Sequence, residues 1–126
     1  MNTDEKRIYD FVREELKDEM IPISYRGLID SKYCGHCHHA SLAMYNLLGG
    51  KTNGYKLQTA TDELEIKHYW LVNSKGEIID PTIEQYTDLD RKPPYDKIAN
   101  NRASHRKTKA TKLIIENVTK KLQSSA

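Results

Sequence analysis

The most constraining feature of this chain is a ten-residue stretch, 63–72, in which apolar and polar residues alternate. Its even positions read Leu, Ile, His, Trp and Val, while its odd positions begin Glu, Glu and Lys. A period of two is typical of a β-strand with one face in the core. A turn-forming Asn-Ser-Lys-Gly run at 73–76 and a second apolar pair at 78–79 follow. The pattern therefore predicts an antiparallel hairpin.

His68 interrupts this pattern because it lies on the face that is predicted to be buried. A buried imidazole without a hydrogen-bond partner costs about 1–3 kcal/mol, so we expect a partner across the hairpin, and Asp80 is the obvious candidate. The two side chains share a face only if paired residue numbers have an even sum, which plain pairing across a four-residue loop does not give. We therefore predict a three- or five-residue connection, or a bulge at Gly76.

Helical periodicity and capping signals supply the remaining elements. We predict helices over 3–20, 37–48 and 107–123, a further strand over 55–60, and a loop over 86–105 around Pro93-Pro94. Asn2 or Thr3 is expected to cap the first helix, and Gly49-Gly50 to end the second. The second helix is apolar on nearly all sides, which indicates burial. Leu113, with residues 114, 118 and 122, forms the predicted apolar stripe of the last helix.

The length of the chain, 126 residues, is that of one domain. We expect a single α+β domain over 1–126, in which a central Cys-bearing helix packs on a small antiparallel β-sheet and terminal helices flank it. No apolar stretch approaches the roughly 20 residues that span a bilayer, and the acidic start of the chain is not typical of a signal peptide. With two cysteines, no disulfide framework can form. The sequence therefore predicts a cytoplasmic protein with reduced thiols and no membrane partner.

Cys37 lies at the predicted start of the buried helix, where free backbone N–H groups and the helix dipole stabilise a thiolate. Gly35 allows a sharp turn into this helix, and the same N–H groups could bind an oxyanion. Cys34 precedes the helix and lacks this position. A carboxylate at Asp80 that accepts from one ring nitrogen of His68 leaves the other nitrogen basic. Together these features predict a catalytic trio with Cys37 as nucleophile, His68 as base and Asp80 as the residue that orients the imidazole.

The order Cys, His, Asp from a helix into a hairpin resembles the papain-like superfamily in its transglutaminase-like branch. The segments that carry the resemblance are Gly35–Ser41, Tyr45–Gly50 and His68–Thr82, within roughly residues 34–86. They are also similar to small phage and bacterial proteins with a Cys-led helix, a His-Trp strand and an Asp-Pro-Thr segment. The resemblance implies a papain-like fold in a bacterium or a phage-infected cell.

The same resemblance implies a hydrolase or acyltransferase that works through a thioester on Cys37 and needs no cofactor. Its expected substrate is an amide in a small molecule, a peptide or a nucleotide-linked compound. Tyr33 and His36 are the candidates for a side chain that donates to the oxyanion.

A different interpretation is a small structural zinc site. Cys34, Cys37, His36 and His38 are a dense set of ligands, and Cys-x-x-Cys is a common half of such sites. A structural site needs further ligands, which the rest of the chain does not offer as a motif. In addition, a helix that starts at Cys37 directs its histidines to different sides.

The charge distribution supports a third interpretation, a non-catalytic binding protein. Residues 1–90 carry 10 Lys or Arg and 16 Asp or Glu, whereas residues 91–126 carry 10 and 2. A basic C-terminal third could contact nucleic acid or another anionic partner. The alternative is that this basic face lies against the acidic body of the same protein.

Overall fold

The computed structural model describes residues 1–26, 35–97 and 102–124. The described elements combine helices with a three-stranded antiparallel sheet, so the fold is of the α+β class. In chain order they are α1 (Thr3–Glu14), α2 (Cys37–Leu47), β1 (Lys56–Thr61), β2 (Lys67–Val72), β3 (Ile78–Ile79), α3 (Glu84–Thr87) and α4 (Lys109–Ser124), with 3₁₀ turns at Asp18–Met20, Ile23–Tyr25 and Gly50–Asn53.

Helix α1 begins as predicted but ends earlier than predicted. Asn2 caps it, since its side chain accepts from the Glu5 backbone N–H while the Glu5 carboxylate accepts from the Asn2 backbone N–H. This reciprocal capping box satisfies two backbone donors. The expected continuation to Met20 is wrong, because the helix ends at Glu14 and only a 3₁₀ turn follows over Asp18–Met20.

Helix α2 is the centre of the structure. It begins at Cys37, as predicted, and ends at Leu47, one residue before the predicted end. Gly49 follows with a φ of 94°, a left-handed conformation that glycine adopts without steric cost. The helix contacts α1, α4 and the first two strands. The predicted arrangement of a Cys-bearing helix on a small antiparallel sheet, between the terminal helices, is confirmed at this level.

Strand β2 starts later than the alternating pattern indicates. The expectation of a strand from Glu63 is wrong, because Asp62 organises a turn over the next four residues. Its carboxylate accepts from the backbone N–H groups of Leu64 and Ile66 at 2.8 and 3.0 Å. Glu65 has a φ of 61°, which a strand does not accommodate. Local side-chain to backbone hydrogen bonds of this kind compete with sheet pairing.

The hairpin of β2 and β3 has the parity that the sequence predicts. Leu71 pairs with Ile79 and Val72 with Ile78, so both sums are even. Five residues, 73–77, connect the two strands. Gly76 has a φ of 79° within this connection. His68 and Asp80 consequently lie on the same face of the sheet.

Both faces of β2 are covered, although the pattern predicted burial of one. Leu71 and Ile79 belong to the core cluster with α1, α2 and α4. On the other face, Trp70 packs against Tyr95 and His68 against Tyr86. Among the odd positions, polar residues extend only as far as Lys67, the first residue of the strand, and Tyr69 and Leu71 follow.

Helix α4 closes the core from the C-terminal side. It runs from Lys109, two residues after the predicted start, and Thr108 and Thr111 exchange hydrogen bonds at its first turn. Ile114 and Val118 are fully buried, as expected of its apolar stripe. Leu113 was expected in the same stripe but is 43% exposed, because it lies beside a cavity rather than in the core.

Candidate active site

Cys37 is presented at the first residue of α2 with its thiol near the edge of β2. Gly35 leads into the helix with a φ of 86°, as the sharp entry requires. The thiol is 8% exposed, and its Sγ donates to the Lys67 carbonyl oxygen at 3.7 Å. His36 makes no side-chain cap to this helix end. The first-turn N–H groups of α2 are therefore not capped by the residue that precedes them.

His68 and Asp80 form a buried pair on the neighbouring hairpin. The Nε2 atom of His68 lies 2.6 Å from Oδ2 of Asp80, with side-chain exposures of 0% and 2%. The Nδ1 atom of His68 is also buried and makes no hydrogen bond with the described residues. The imidazole is thus oriented through one nitrogen, as predicted, while the other nitrogen has no hydrogen-bond partner among the described residues.

The surroundings of His68 favour its protonated form. Burial alone lowers the pKa of His68, but the hydrogen bond and negative charge of Asp80, together with the nearby Cys37 sulfur, raise it to about 9. The geometry between ring and sulfur is not that of a formed hydrogen bond, since Nδ1 has no such partner in the described part of the chain. The sulfur is nevertheless close enough to act on the ring. The three predicted residues are therefore brought together.

Asp80 is held by donors that sequence reasoning missed. Its Oδ2 accepts from the Tyr95 hydroxyl at 2.7 Å, and its Oδ1 accepts from the Thr82 backbone N–H at 3.1 Å. Burial and the adjacent Asp80 charge raise the pKa of Tyr95, so its hydroxyl stays a donor. Tyr95 follows the Pro93-Pro94 pair in an irregular segment, where no periodic signal marks it.

Tyr86 covers the imidazole of His68 from the other side. The two rings meet edge to face with centroids 4.8 Å apart. The Tyr86 hydroxyl donates to Oδ2 of Asp62 at 2.8 Å, and Arg91 lies 3.3 Å from the same oxygen. Tyr86 is fully buried, so it excludes solvent from His68. Sequence reasoning also missed this residue, although a Tyr five residues beyond a candidate Asp-Pro segment was visible.

Cys37 lines a cavity of about 360 Å³, in which Lys67 and Tyr69, the two sequence neighbours of His68, also take part. Apolar side chains form much of its wall, among them Met20, Pro22, Ile66 and Leu113. Gln85 also lines it. The volume lies within the range of small-molecule sites in proteins.

The histidines around Cys37 have partners of their own. His36 Nδ1 and His39 Nε2 share a hydrogen bond of 2.7 Å, and His38 Nε2 donates to the Ser104 carbonyl oxygen at 3.0 Å. Burial lowers the pKa of His36, and burial with the charges of its neighbours lowers the pKa of His39 to about 3.

These partners bear on the zinc interpretation. Among residues 1–26, 35–97 and 102–124, no three His, Cys, Asp or Glu side chains are arranged to hold a metal ion. Cys34, a ligand of that interpretation, and Tyr33, a candidate oxyanion donor, both lie outside the described residues.

The basic C-terminal third is partly neutralised by the rest of the protein. Lys121 lies 3.1 Å from Glu14 and 2.8 Å from Glu15, and Arg91 lies 2.9 Å from Glu63. A separate groove of about 480 Å³ lies between residues 102–105 of this region and Tyr45 of α2. Its lining includes two tyrosines, three cationic side chains and one histidine, namely Tyr45, Tyr55, Lys51, Lys56, Arg102 and His105.

The YunG protein family model matches residues 6–123, and the chain therefore belongs to this family. The match includes all three residues of the candidate site. No curated protein and no solved structure matches the chain. Within the described residues, no helix is long and apolar enough to cross a membrane.

Proposed function

We propose that this member of the YunG family is a cysteine hydrolase or acyltransferase of papain-like type, with Cys37, His68 and Asp80 as its catalytic residues. The observation that carries the proposal is the buried His68, oriented at Nε2 by Asp80 and without a hydrogen bond at Nδ1, near the Cys37 thiol. A nucleophile, a base and an orienting group in this order are the usual requirements for covalent catalysis.

In the first step, the Cys37 thiolate attacks the carbonyl carbon of an amide and a C–S bond forms. The raised pKa of His68 keeps its ring protonated at neutral pH, so the imidazolium stabilises the thiolate. The backbone N–H groups of the first turn of α2, which the His36 side chain does not cap, would receive the oxyanion. The C–N bond then breaks, and the departing nitrogen takes the proton from His68.

In the second step, His68 acts as a base. It removes a proton from water or from an acceptor amine, which attacks the thioester carbon and releases Cys37. Asp80 does not leave its place in either step, since it holds the ring through Nε2 throughout. The substrate class proposed is an amide in a small molecule, a peptide or a nucleotide-linked compound.

The test is acylation of the protein by 4-nitrophenyl hexanoate, followed by intact-mass analysis. We expect one hexanoyl group per chain, located on Cys37 and removed by hydroxylamine as a thioester is. Cys37→Ser should abolish this adduct, while Cys34→Ser is the matched control and should retain it. Acylation spread over lysines, or equal loss in both variants, would contradict the proposal.

A second candidate function, binding of an anionic partner, is favoured by the groove that Tyr45 and Tyr55 line. Aromatic side chains among cations are the combination that single-stranded nucleic acids use for stacking and phosphate contact. The contact between the Tyr45 and His105 rings, with centroids 5.1 Å apart, forms one wall of this groove. Binding to single-stranded polynucleotide should then weaken steeply with salt. Absence of binding at low salt would remove this candidate.

A further inference from the structure

The cavity lined by Cys37 (the Cys37 cavity) is formed where four segments of the chain meet. They are the segment that follows α1, the beginning of α2, the residues around the start of β2, and the first turns of α4. Three of these segments contribute apolar residues besides Cys37, namely Met20, Pro22, Ile66 and Leu113. An apolar wall with a candidate nucleophile in it is typical of a substrate site.

Leu113 shows that this apolar surface is open rather than packed. Ile114 and Val118 of the same helix are fully buried in the core, whereas Leu113 is 43% exposed. Ala110, three residues earlier, also lines the Cys37 cavity. Residues three apart lie on the same side of a helix. Helix α4 therefore has a second apolar strip, which borders the cavity and is not used by the core.

The histidines and the charged residues of the wall have partners elsewhere or remain in solvent. His38 donates to the Ser104 carbonyl oxygen, and His39 shares a hydrogen bond with His36. The charged residues of the wall are all exposed, namely Glu19, Lys67 and Lys109. Burial of apolar surface is therefore the main interaction that the Cys37 cavity offers to a ligand.

The position of Cys37 in the wall decides which part of a substrate lies in the cavity. In the proposed mechanism, the acyl group stays bonded to the Cys37 sulfur after the amine has left. His68, which exchanges a proton with the departing and the entering group, does not line the cavity. We therefore assign the cavity to the acyl group and not to the leaving amine.

We propose that the Cys37 cavity binds the acyl part of the substrate and selects apolar acyl chains that are longer than acetyl. This inference rests on the proposed function and narrows its substrate class to amides of apolar carboxylic acids. A cavity of about 360 Å³ has room for about twelve groups of the size of a water molecule, each of about 30 Å³. An acetyl group fills only a small part of this space. Each further methylene group that the cavity buries strengthens binding by about fourfold.

The experiment compares acylation of the wild-type protein by 4-nitrophenyl acetate and 4-nitrophenyl hexanoate, which share one leaving group. The rate constant for acylation of Cys37 is measured by intact mass and divided by the rate constant of the same ester with N-acetylcysteine. This division removes the difference in intrinsic reactivity between the two esters. The four additional methylene groups should raise the corrected rate at least about tenfold. Equal corrected rates would overturn the proposal.

Two leucine variants test whether the selectivity arises in this cavity. Leu113→Asp should lower the ratio of hexanoyl to acetyl transfer several-fold, because a charge replaces part of the apolar wall. Leu64→Asp is the matched control, since Leu64 is 57% exposed and does not line the cavity. This control should keep the wild-type ratio. Equal ratios in the two variants would place the selectivity elsewhere and overturn the assignment.

A binding measurement separates this inference from the proposed function. Hexanamide and acetamide are titrated into the Cys37→Ala protein by ligand-observed NMR, and hexanamide should bind at least about tenfold more tightly. Equal binding of the two amides would overturn the role of the cavity, whether or not the protein is acylated. Failure of the proposed function is a different result, the absence of any acyl group on Cys37 with either ester.

Discussion

Two buried histidines, His68 and His39, are each bonded to one partner and have opposite charge preferences. His68 is bonded to a carboxylate, and its pKa is raised to about 9. His39 is bonded to another imidazole, and burial with the neighbouring histidine charges lowers its pKa to about 3. Both rings are nearly inaccessible. Burial penalises the cation in each case, so the partner of the ring decides which histidine holds a proton at neutral pH.

This difference explains why only one of the two pairs suits acid–base chemistry next to the thiol. A histidine that is protonated near pH 7 can stabilise a thiolate and later give up its proton. The His36–His39 pair stays neutral and ties two rings of the α2 start to each other. We interpret it as a support for the helix end that presents Cys37.

The largest expected effect comes from removing the carboxylate. In Asp80→Asn, burial acts on His68 without the charge and the charge-assisted hydrogen bond of Asp80, so the pKa of His68 should fall from about 9. Acylation of Cys37 at pH 7 should slow by about a hundredfold to ten-thousandfold. The measurement is the rate of hexanoyl transfer followed by mass spectrometry.

Asp62→Asn is the matched control for this change. Asp62 is also a buried carboxylate, but it accepts from Tyr86 rather than from His68. Asp62→Asn should lower the melting temperature and leave the rate of Cys37 acylation within a few-fold of the wild-type rate. Equal losses of rate in the two variants would show that a general loss of buried charge, and not the orientation of His68, is responsible.

The second effect concerns stability above neutral pH. Because the folded-state pKa of His68 is raised, its contribution to stability is complete below pH 6.5 and is lost as the pH rises through about 9. The loss amounts to about 3 kcal/mol. Unfolding measured from pH 6.5 to 9 should show the part of this loss that Asp80 causes in Cys37→Ser, which removes the contribution of the sulfur, and none of it in Cys37→Ser with His68→Gln. If NMR shows that the His68 ring titrates with a pKa near 6.5, the raised pKa is contradicted, even if the double variant does not fold.

The third effect is a loss of stability at acid pH, whereas the His68 effect is a loss at alkaline pH. His39 stays neutral in the folded protein while the unfolded chain takes up a proton below pH 6.5, so stability is lost as the pH falls toward about 3. Between pH 6.5 and 5 the loss is about 2 kcal/mol. His39→Gln should abolish this part of the pH dependence in chemical denaturation. If His39→Gln loses stability between pH 6.5 and 5 as steeply as the wild type, His39 is not the source of this loss and the contrast with His68 fails.

The sequence identifies the residues that interrupt a local pattern, and it misses those that act through long-range paths. His68 interrupts an alternating strand, and Cys37 starts an apolar helix, so both are visible without a structure. The parity of the hairpin then relates Asp80 to His68. Tyr95 and Gln85 lie in the irregular and short helical segments that follow Asp80, and the fold brings them back to the site. No periodic pattern in the sequence marks these two positions.

The same distinction explains the errors in the predicted elements. The late start of β2 depends on the Asp62 side chain, which bonds backbone N–H groups two and four residues ahead. Such bonds leave the alternating pattern in the sequence intact, but they prevent residues 63–66 from joining the strand.

The catalytic assignment and its papain-like character remain predictions that the acylation experiments test.

The smallest expected effect separates the two tyrosines that line the His68–Asp80 pair. Tyr95→Phe removes the hydroxyl that donates to Oδ2 of Asp80 at 2.7 Å, while its ring contact with Trp70 can persist. One hydrogen bond is worth about 1 kcal/mol, so acylation of Cys37 should slow by about three- to tenfold. Tyr86→Phe is the matched control, since its hydroxyl donates to Asp62 and its ring still covers His68. Both variants should lose similar stability, but only Tyr95→Phe should change the acylation rate. Equal rates in the two would mean that Asp80 keeps its place without Tyr95.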